Sequence, residues 1–98
     1  MKRVFSRSSL ITFWKKYPET EQYLKTWYDL IIKTDWTTPT TLKNIFGNVS
    51  ILKNGRVVFN LKGNKYRLVA KINYEKQWIF IRFIGKHDDY DKIDANTI

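Results

Sequence analysis

Apolar residues recur at helical spacing in the first third of the chain. Two sets follow the i, i+3, i+4, i+7 pattern of a helix face, and they are Leu10, Phe13, Trp14 and Tyr17, and then Leu24, Trp27, Tyr28 and Ile31. Pro18 separates the sets, because proline disfavours a helical conformation for the preceding residue and fits the first position of a new helix. The pattern predicts one helix capped by Ser8 or Ser9 and a second that ends at about Lys33, with Glu19 favouring the dipole of the second helix.

The period changes to two in the second half of the chain, which is typical of strands that bury one face. The predicted strands cover residues 49–53, 57–62, 65–74 and 77–84. Asn54-Gly55 and Gly63-Asn64 are favourable tight-turn dipeptides between them. Residues 2–6 fit a short edge strand, residues 35–41 a loop, and two short helical turns are expected at about 42–46 and 88–93, the first capped by Thr40 or Thr41.

Helices followed by a meander predict an α+β fold, with N-terminal helices packed on a C-terminal antiparallel β-meander. Because 98 residues supply one modest core, we expect a single domain over residues 1–98. No run approaches the roughly 20 apolar residues of a membrane span, so we expect a cytoplasmic protein without membrane contact. The chain has no cysteine and a single histidine, which excludes thiolate metal sites and disfavours histidine ones. We expect no cofactor.

The strongest global signal is charge, because 18 Lys and Arg residues oppose 9 Asp and Glu residues and leave a net charge of +9. Such an excess predicts a polyanionic partner, which is nucleic acid, an acidic protein or an anionic membrane surface. Lysine used only for solubility is the simpler explanation. The concentration of charge in the predicted sheet favours a polyanion.

Polar and basic side chains cluster along the last strands and just after them. They are Asn60, Lys62, Lys65, Arg67, Lys71, Arg82, Lys86, His87 and Tyr90. Adjacent strands of a meander lie about 4.8 Å apart, so same-face residues of neighbouring strands become neighbours in space. We therefore expect these side chains to form one basic surface.

The side chains of this surface suit RNA cleavage without a metal. That reaction needs a base for the ribose 2′-OH, cations for the phosphorane and an acid for the departing 5′ oxygen. Arginine binds two phosphate oxygens at once, histidine exchanges protons near neutral pH, and tyrosine stacks a base or orients a phosphate. Lysine and arginine on exposed strands are, however, usually only solvated charges. The residues alone therefore predict RNA binding.

The segment FNLKGNKYRLVAKINYEKQWIFIRFIGKHDDYDKIDA resembles the HigB branch of the RelE-like toxins. The shared features are the F-N-x-x-G-N-x-x-R-x-V-A hairpin, the aromatic-rich strand after it and the closing G-x-H-x-x-Y-D. KKYPETE and TPTTLKNIF in the helical half are also similar, so the resemblance covers nearly the whole chain. It implies the RelE-like toxin fold and a ribosome-dependent, metal-independent mRNA endonuclease, whose partners are mRNA on the ribosome and a cognate helix-turn-helix antitoxin (HigA-like).

The resemblance also implies roles for individual residues. Arg67 matches the arginine that contacts the scissile phosphate in the family, and Asn60 and Lys62 lie where RelE-like toxins place basic residues. Lys86 and His87 fall at the basic position after the glycine, and Tyr90 lies near the C-terminal aromatic one. Asn60 is uncharged and His87 replaces an arginine, which leaves the general base open.

We therefore predict catalytic roles for four residues and RNA-binding roles for five. The catalytic set is Arg67, His87, Lys62 and Tyr90, and the RNA-binding set is Asn60, Lys65, Lys71, Arg82 and Lys86. Arg82 either belongs to the site or is structural. The alternatives are a non-catalytic RNA- or ribosome-binding module and a domain whose basic face docks an acidic protein. DNA binding is disfavoured, because no helix carries a row of outward Arg, Asn and Gln suited to the major groove.

Overall fold

A computed structural model describes residues 2–63 and 65–98 of the chain. Three helices and a 3₁₀ turn at Pro18–Thr20 precede most of the sheet, and a short helix follows it. The elements in chain order are β1 (Arg3–Phe5), α1 (Arg7–Lys16), α2 (Glu21–Lys33), α3 (Pro39–Ile45), β2 (Val49–Ile51), β3 (Arg56–Leu61), β4 (Tyr66–Asn73), β5 (Trp78–Lys86) and α4 (His87–Tyr90). The predicted α+β class is confirmed.

The sheet has five strands in the order β1-β5-β4-β3-β2. Strands β2 to β5 form the predicted antiparallel meander. Strand β1 extends it to a mixed sheet, because Arg3–Phe5 runs parallel to the start of β5 and pairs with it from Trp78 onwards. None of the described helices is both long enough and apolar enough to cross a membrane.

The main core lies between the helices and one face of the sheet. The predicted stripe residues Leu10, Leu24 and Ile31 are buried there, against Phe59 and other apolar residues of the sheet. Trp36 is fully buried in the same core, and its indole N–H donates to the Ile31 carbonyl at 2.9 Å. The predicted loop at 35–41 therefore carries a major core residue, because a buried Trp needs a partner for its N–H and finds one at the end of α2.

A smaller apolar cluster covers the opposite face of the sheet. It is built on Val58, Val69 and Ala95, with Phe83 and Tyr90 packed against it. Two hydrogen bonds hold the last residues over this face, from the Arg56 Nε to the Ile98 carbonyl at 2.8 Å and from an Arg56 Nη to the Thr97 carbonyl at 3.3 Å. The C-terminal segment is therefore fixed to the start of β3, and its apolar residues share a cluster with Tyr90.

The turn between β2 and β3 follows its sequence signal. Asn54 and Gly55 have φ of 58° and 75°, which both central positions of a type I′ turn require. The predicted Gly63-Asn64 turn includes Asn64, which lies outside the described residues. On its described side, Lys62 and Gly63 have φ of 50° and 59°.

Helix starts differ from those predicted, because the capping residue lies earlier in the chain. Ser6 is the N-cap of α1, and Thr38 is the N-cap of α3. Thr38 and Thr41 exchange side-chain and backbone hydrogen bonds in a capping box, and Pro39 takes the first helical position. At the C-terminus, β5 continues to Lys86, so α4 begins at His87.

Candidate nucleic-acid interface

Arg67 lies in β4 on the sheet face opposite the helices. It is paired with Asn60 of β3 and with Gly85 of β5. Its guanidinium carbon lies 4.5 Å from the centroid of the Tyr90 ring, within the range of a cation–π interaction. Among the described residues, the buried Arg67 Nε has no hydrogen-bond partner. The guanidinium thus lies over a ring, with a buried Nε that donates to none of the described residues.

The aromatic support of Arg67 continues into β5. The Tyr90 ring lies 6.4 Å from the ring of Phe83. A Cβ added at Gly85 would approach the Phe83 ring to 2.5 Å, so a side chain at position 85 would displace that ring. Glycine at this position therefore preserves the packing beneath Tyr90 and Arg67.

His87 begins α4, the short helix that also carries Tyr90. Its backbone N–H donates to the Lys65 carbonyl at 3.0 Å, which ties the start of α4 to the beginning of β4. Its Nδ1 lies 3.2 Å from an Asp91 carboxylate oxygen, and its side chain is 46% exposed. This side chain is accessible to a large substrate and lies beside a carboxylate.

His87, Asp88 and Asp91 are the group of potential metal ligands found among the described residues. Their ligand atoms lie within 4.8 Å of one another, and all three residues are exposed. Imidazole and carboxylate groups are common ligands of divalent cations. This exposed cluster is therefore the place where the described part of the chain could hold a metal ion.

The lysines of the β3–β4 turn do not lie on the face of Arg67. Lys62 Nζ and Lys65 Nζ contact one Glu19 carboxylate oxygen, at 3.2 Å and 3.3 Å. Glu19 belongs to the 3₁₀ turn on the helical side of the sheet. On the same side, Lys86 Nζ lies 4.8 Å from the Tyr17 ring centroid.

Simple strand alternation predicts one surface for the basic residues of the predicted site. The structure instead divides these residues between two faces of the sheet. Lys62 has left-handed backbone geometry, and Lys62 and Lys65 both lie in the turn outside the strands, so alternation does not set the direction of their side chains. Lys86 is paired with Tyr66, whose buried side chain faces the helices. The two basic faces meet at the edge formed by the β3–β4 turn and the end of β5.

Glu19 is a neighbour of the two lysines that the sequence pattern does not reveal. Its carboxylate accepts hydrogen bonds from the Tyr66 hydroxyl at 2.5 Å and from Lys62 and Lys65. These hydrogen bonds, with that of Tyr66 the strongest, lower the pKa of Glu19 to about 2. The same contact raises the pKa of Tyr66 to about 12. From the sequence, Glu19 could be predicted only as an acidic residue that suits the start of a helix. Its contacts could not be predicted, because its partners are 43 to 47 positions away in the chain.

Of the remaining predicted RNA-binding residues, Asn60 is paired with Arg67, whereas Lys71 and Arg82 lie away from it. The side-chain amide of Asn60 donates to the backbone carbonyl of Asn48 at 2.8 Å, and the backbone carbonyl of Asn60 accepts from the side-chain amide of Asn48 at 2.7 Å. These two hydrogen bonds join β3 to the residue before β2. Lys71 and Arg82 border an open cavity of about 560 Å³ farther along the sheet. Arg82 lies at the bulge of β5, between the residues paired with Ala70 and Val69.

Comparison with known proteins places this geometry in a family. Residues 20–93 match the family described as HigB_toxin, RelE-like toxic component of a toxin-antitoxin system. The chain belongs to the HigB toxin family. The matched segment contains all nine predicted site residues, whereas Glu19 lies directly before it. As a HigB-family toxin, the protein has a cognate antitoxin as a partner.

Relatives in this family are similar over most of their length. A protein of Escherichia coli O6:H1 named mRNA interferase HigB is 33% identical over 81 residues, which cover 81% of this chain and 79% of the relative. The mRNA interferase toxin HigB of Escherichia coli K12 is 33% identical over 83 residues, or 83% of this chain and 80% of the relative. The mRNA interferase HigB of Shigella flexneri matches to the same extent.

Proposed function

We propose that this HigB-family toxin is an mRNA endoribonuclease that cleaves messages on the ribosome, in the cytoplasm, as one domain. The observation that carries the proposal is the Arg67 guanidinium, whose carbon lies 4.5 Å from the Tyr90 ring centroid and whose buried Nε has no hydrogen-bond partner among the described residues. A fixed, partly shielded arginine fork is suited to a phosphoryl group that gains charge in the transition state. The names of the relatives, mRNA interferases, agree with this chemistry.

The proposed reaction is transesterification within the RNA backbone. The ribose 2′ oxygen loses its proton and attacks phosphorus, and the bond to the 5′ oxygen breaks as that oxygen receives a proton. The products are a 2′,3′-cyclic phosphate and a 5′-hydroxyl end. Arg67 binds the non-bridging oxygens of the phosphorane, and Tyr90 keeps the guanidinium oriented.

His87 is the acid or the base of this proposal: it either takes the proton of the ribose 2′-OH or gives a proton to the departing 5′ oxygen, and water exchanges the other proton. His87 is exposed, lies beyond Gly85, the partner of Arg67, at the end of β5, and contacts Asp91, which orients the ring. Because the reaction needs only a proton donor and acceptor and cations at phosphorus, we propose that it proceeds without a metal. Lys62, Lys65 and Lys86 extend the positive surface around the turn.

The partner we propose for inhibition is a HigA-like antitoxin with a helix-turn-helix domain. The family places a cognate antitoxin beside this toxin. The basic surface gives an acidic segment of that antitoxin a complementary place to bind. A gene for a small helix-turn-helix protein next to the toxin gene is the expected genomic arrangement.

The test is to induce the wild-type chain in growing bacteria and map mRNA 5′ ends, beside the Arg67→Ala and His87→Ala variants. Arg3→Ala is the matched control, because Arg3 is exposed on β1 away from the site. In-frame ends that both site variants lose and the control keeps would support a translation-coupled nuclease. Growth arrest without new ends would overturn cleavage in favour of a non-catalytic ribosome binder.

A further inference from the structure

One carboxylate occupies a site that has the donors of a phosphate-binding site. Lys62 Nζ, Lys65 Nζ and the Tyr66 hydroxyl all contact Glu19 within 3.3 Å. Two ammonium groups and a hydroxyl are donors of the kind that bind phosphate oxygens. The Glu19 carboxylate therefore stands where an anionic oxygen of a ligand would be bound.

This cluster is open to a large ligand and is continuous with the Arg67 site. The side chains of Glu19, Lys62 and Lys65 are 41%, 36% and 54% exposed. Lys65 also connects the two faces, since its carbonyl accepts from the His87 backbone N–H at 3.0 Å. Lys65 and Arg67 are two residues apart, which is about 7 Å along an extended chain. A nucleic-acid strand at Arg67 can therefore continue round the turn to Glu19.

We propose that Glu19 is an intramolecular competitor for an RNA backbone phosphate, which binds Lys62, Lys65 and Tyr66 once Glu19 is displaced. The inference rests on the proposed RNA-cleaving function and adds a second phosphate site beside the reacting one. Glu19 thereby sets how many lysines are available to RNA and weakens the binding of strands that reach the turn.

Removing the charge of Glu19 should strengthen RNA binding. Glu19→Gln keeps an oxygen that can accept from the Tyr66 hydroxyl but no longer neutralises the two lysines. Because the phosphate then replaces salt ions rather than Glu19 at the two lysines, the plot of log K against log salt should steepen by about 0.7 for single-stranded RNA. We expect an affinity gain of about threefold to tenfold at low salt.

The assay is fluorescence anisotropy of the full chain with a 2′-O-methyl oligoribonucleotide, which lacks the attacking hydroxyl and stays intact. Glu21→Gln is the matched control, since Glu21 is also ion-paired, to Lys25 at 2.5 Å, and its replacement changes net charge equally. Glu19→Gln should gain affinity relative to this control. Adding Lys62→Gln and Lys65→Gln to the Glu19→Gln variant should remove this gain in affinity.

Equal affinity and equal salt slope for the two glutamine variants would overturn the inference while leaving RNA binding intact. Absence of binding by every variant would overturn the inference about Glu19 and also RNA recognition by the free protein. The mapping of mRNA 5′ ends would still decide separately whether the protein cleaves RNA. A measurement without RNA guards against altered folding. Inorganic phosphate should raise the Tm of Glu19→Gln more than that of Glu21→Gln, and an equal rise would count against a vacated phosphate site.

Discussion

Replacing Tyr90 separates support of Arg67 from chemistry at the tyrosine hydroxyl. The Arg67 guanidinium carbon lies 4.5 Å from the Tyr90 ring centroid, so the ring face is already used by the arginine. Tyr90→Phe keeps that face and removes the hydroxyl. Tyr90→Leu keeps an apolar side chain against Phe83 but removes the ring face.

The size of the effect follows from the strength of the contact. A cation–π interaction contributes about 0.5 to 2 kcal/mol, which corresponds to about 2-fold to 30-fold in a rate that depends on arginine orientation. Loss of a charge-stabilising donor itself costs about 10² to 10³-fold. We therefore expect cleavage in the order wild type, Tyr90→Phe, Tyr90→Leu and Arg67→Ala, with Tyr90→Phe close to wild type.

The assay is single-turnover cleavage of a defined message on programmed ribosomes, with thermal unfolding of each variant in parallel. Tyr23→Leu is the control, because Tyr23 is an exposed tyrosine of α2. If Tyr90→Phe lost as much activity as Arg67→Ala, and Tyr90→Leu lost no more than Tyr90→Phe, the hydroxyl would take part in the chemistry. The reasoning that the ring orients Arg67 would then be refuted.

Three further predictions concern metal dependence, acid stability and the first hairpin. In a metal-free reaction, Asp88→Asn keeps wild-type cleavage on programmed ribosomes, and Asp91→Asn lowers cleavage only because His87 is oriented less well. An equal loss of activity in both variants would indicate a bound cation. The pKa of Glu19 is lowered from 4.5 to about 2, so its carboxylate favours folding above pH 4.5 and that contribution is lost as the pH falls towards 2. The stability difference between wild type and Glu19→Gln in urea unfolding should shrink over this window, and a constant difference would contradict the assignment. Gly55→Ala should destabilise the fold by about 1 to 3 kcal/mol in the same assay. The added Cβ would lie 2.9 Å from the Ile72 carbonyl oxygen, and the backbone φ of 75° disfavours any side chain. Unchanged stability would count against this strain.

The elements of the fold were predictable where the signal is local. Periodicities of 3.6 and 2 are properties of a few consecutive residues, and they located α1, α2 and the four strands of the meander to within a few positions. The parallel pairing of Arg3–Phe5 with β5 was not predictable, because it joins residues 75 positions apart in the register. Burial of Trp36 was missed for the same reason, since its surroundings come from distant parts of the chain.

The Arg67 half of the site was predictable from strand order alone. In a meander, the strand after Arg67 must return beside it, which brings Gly85 opposite Arg67 and carries His87 and Tyr90 to the same end of the sheet. The roles of these residues stay predictions. Their proximity, however, follows from topology that the hydrophobic pattern already contains.

The lysine half was not predictable, and the reason bears on how charge should be counted in a basic toxin. Lys62 and Lys65 lie in a turn, where backbone geometry and a distant carboxylate decide their direction. A net charge of +9 counts both lysines as available to RNA, although Glu19 neutralises part of their field. Arg67 is different, since its contact is a ring that leaves its full charge in place. The charge that acts on RNA therefore depends less on composition than on which basic side chains already pair with a carboxylate. Here Lys62 and Lys65 pair with Glu19, whereas Arg67 contacts a ring.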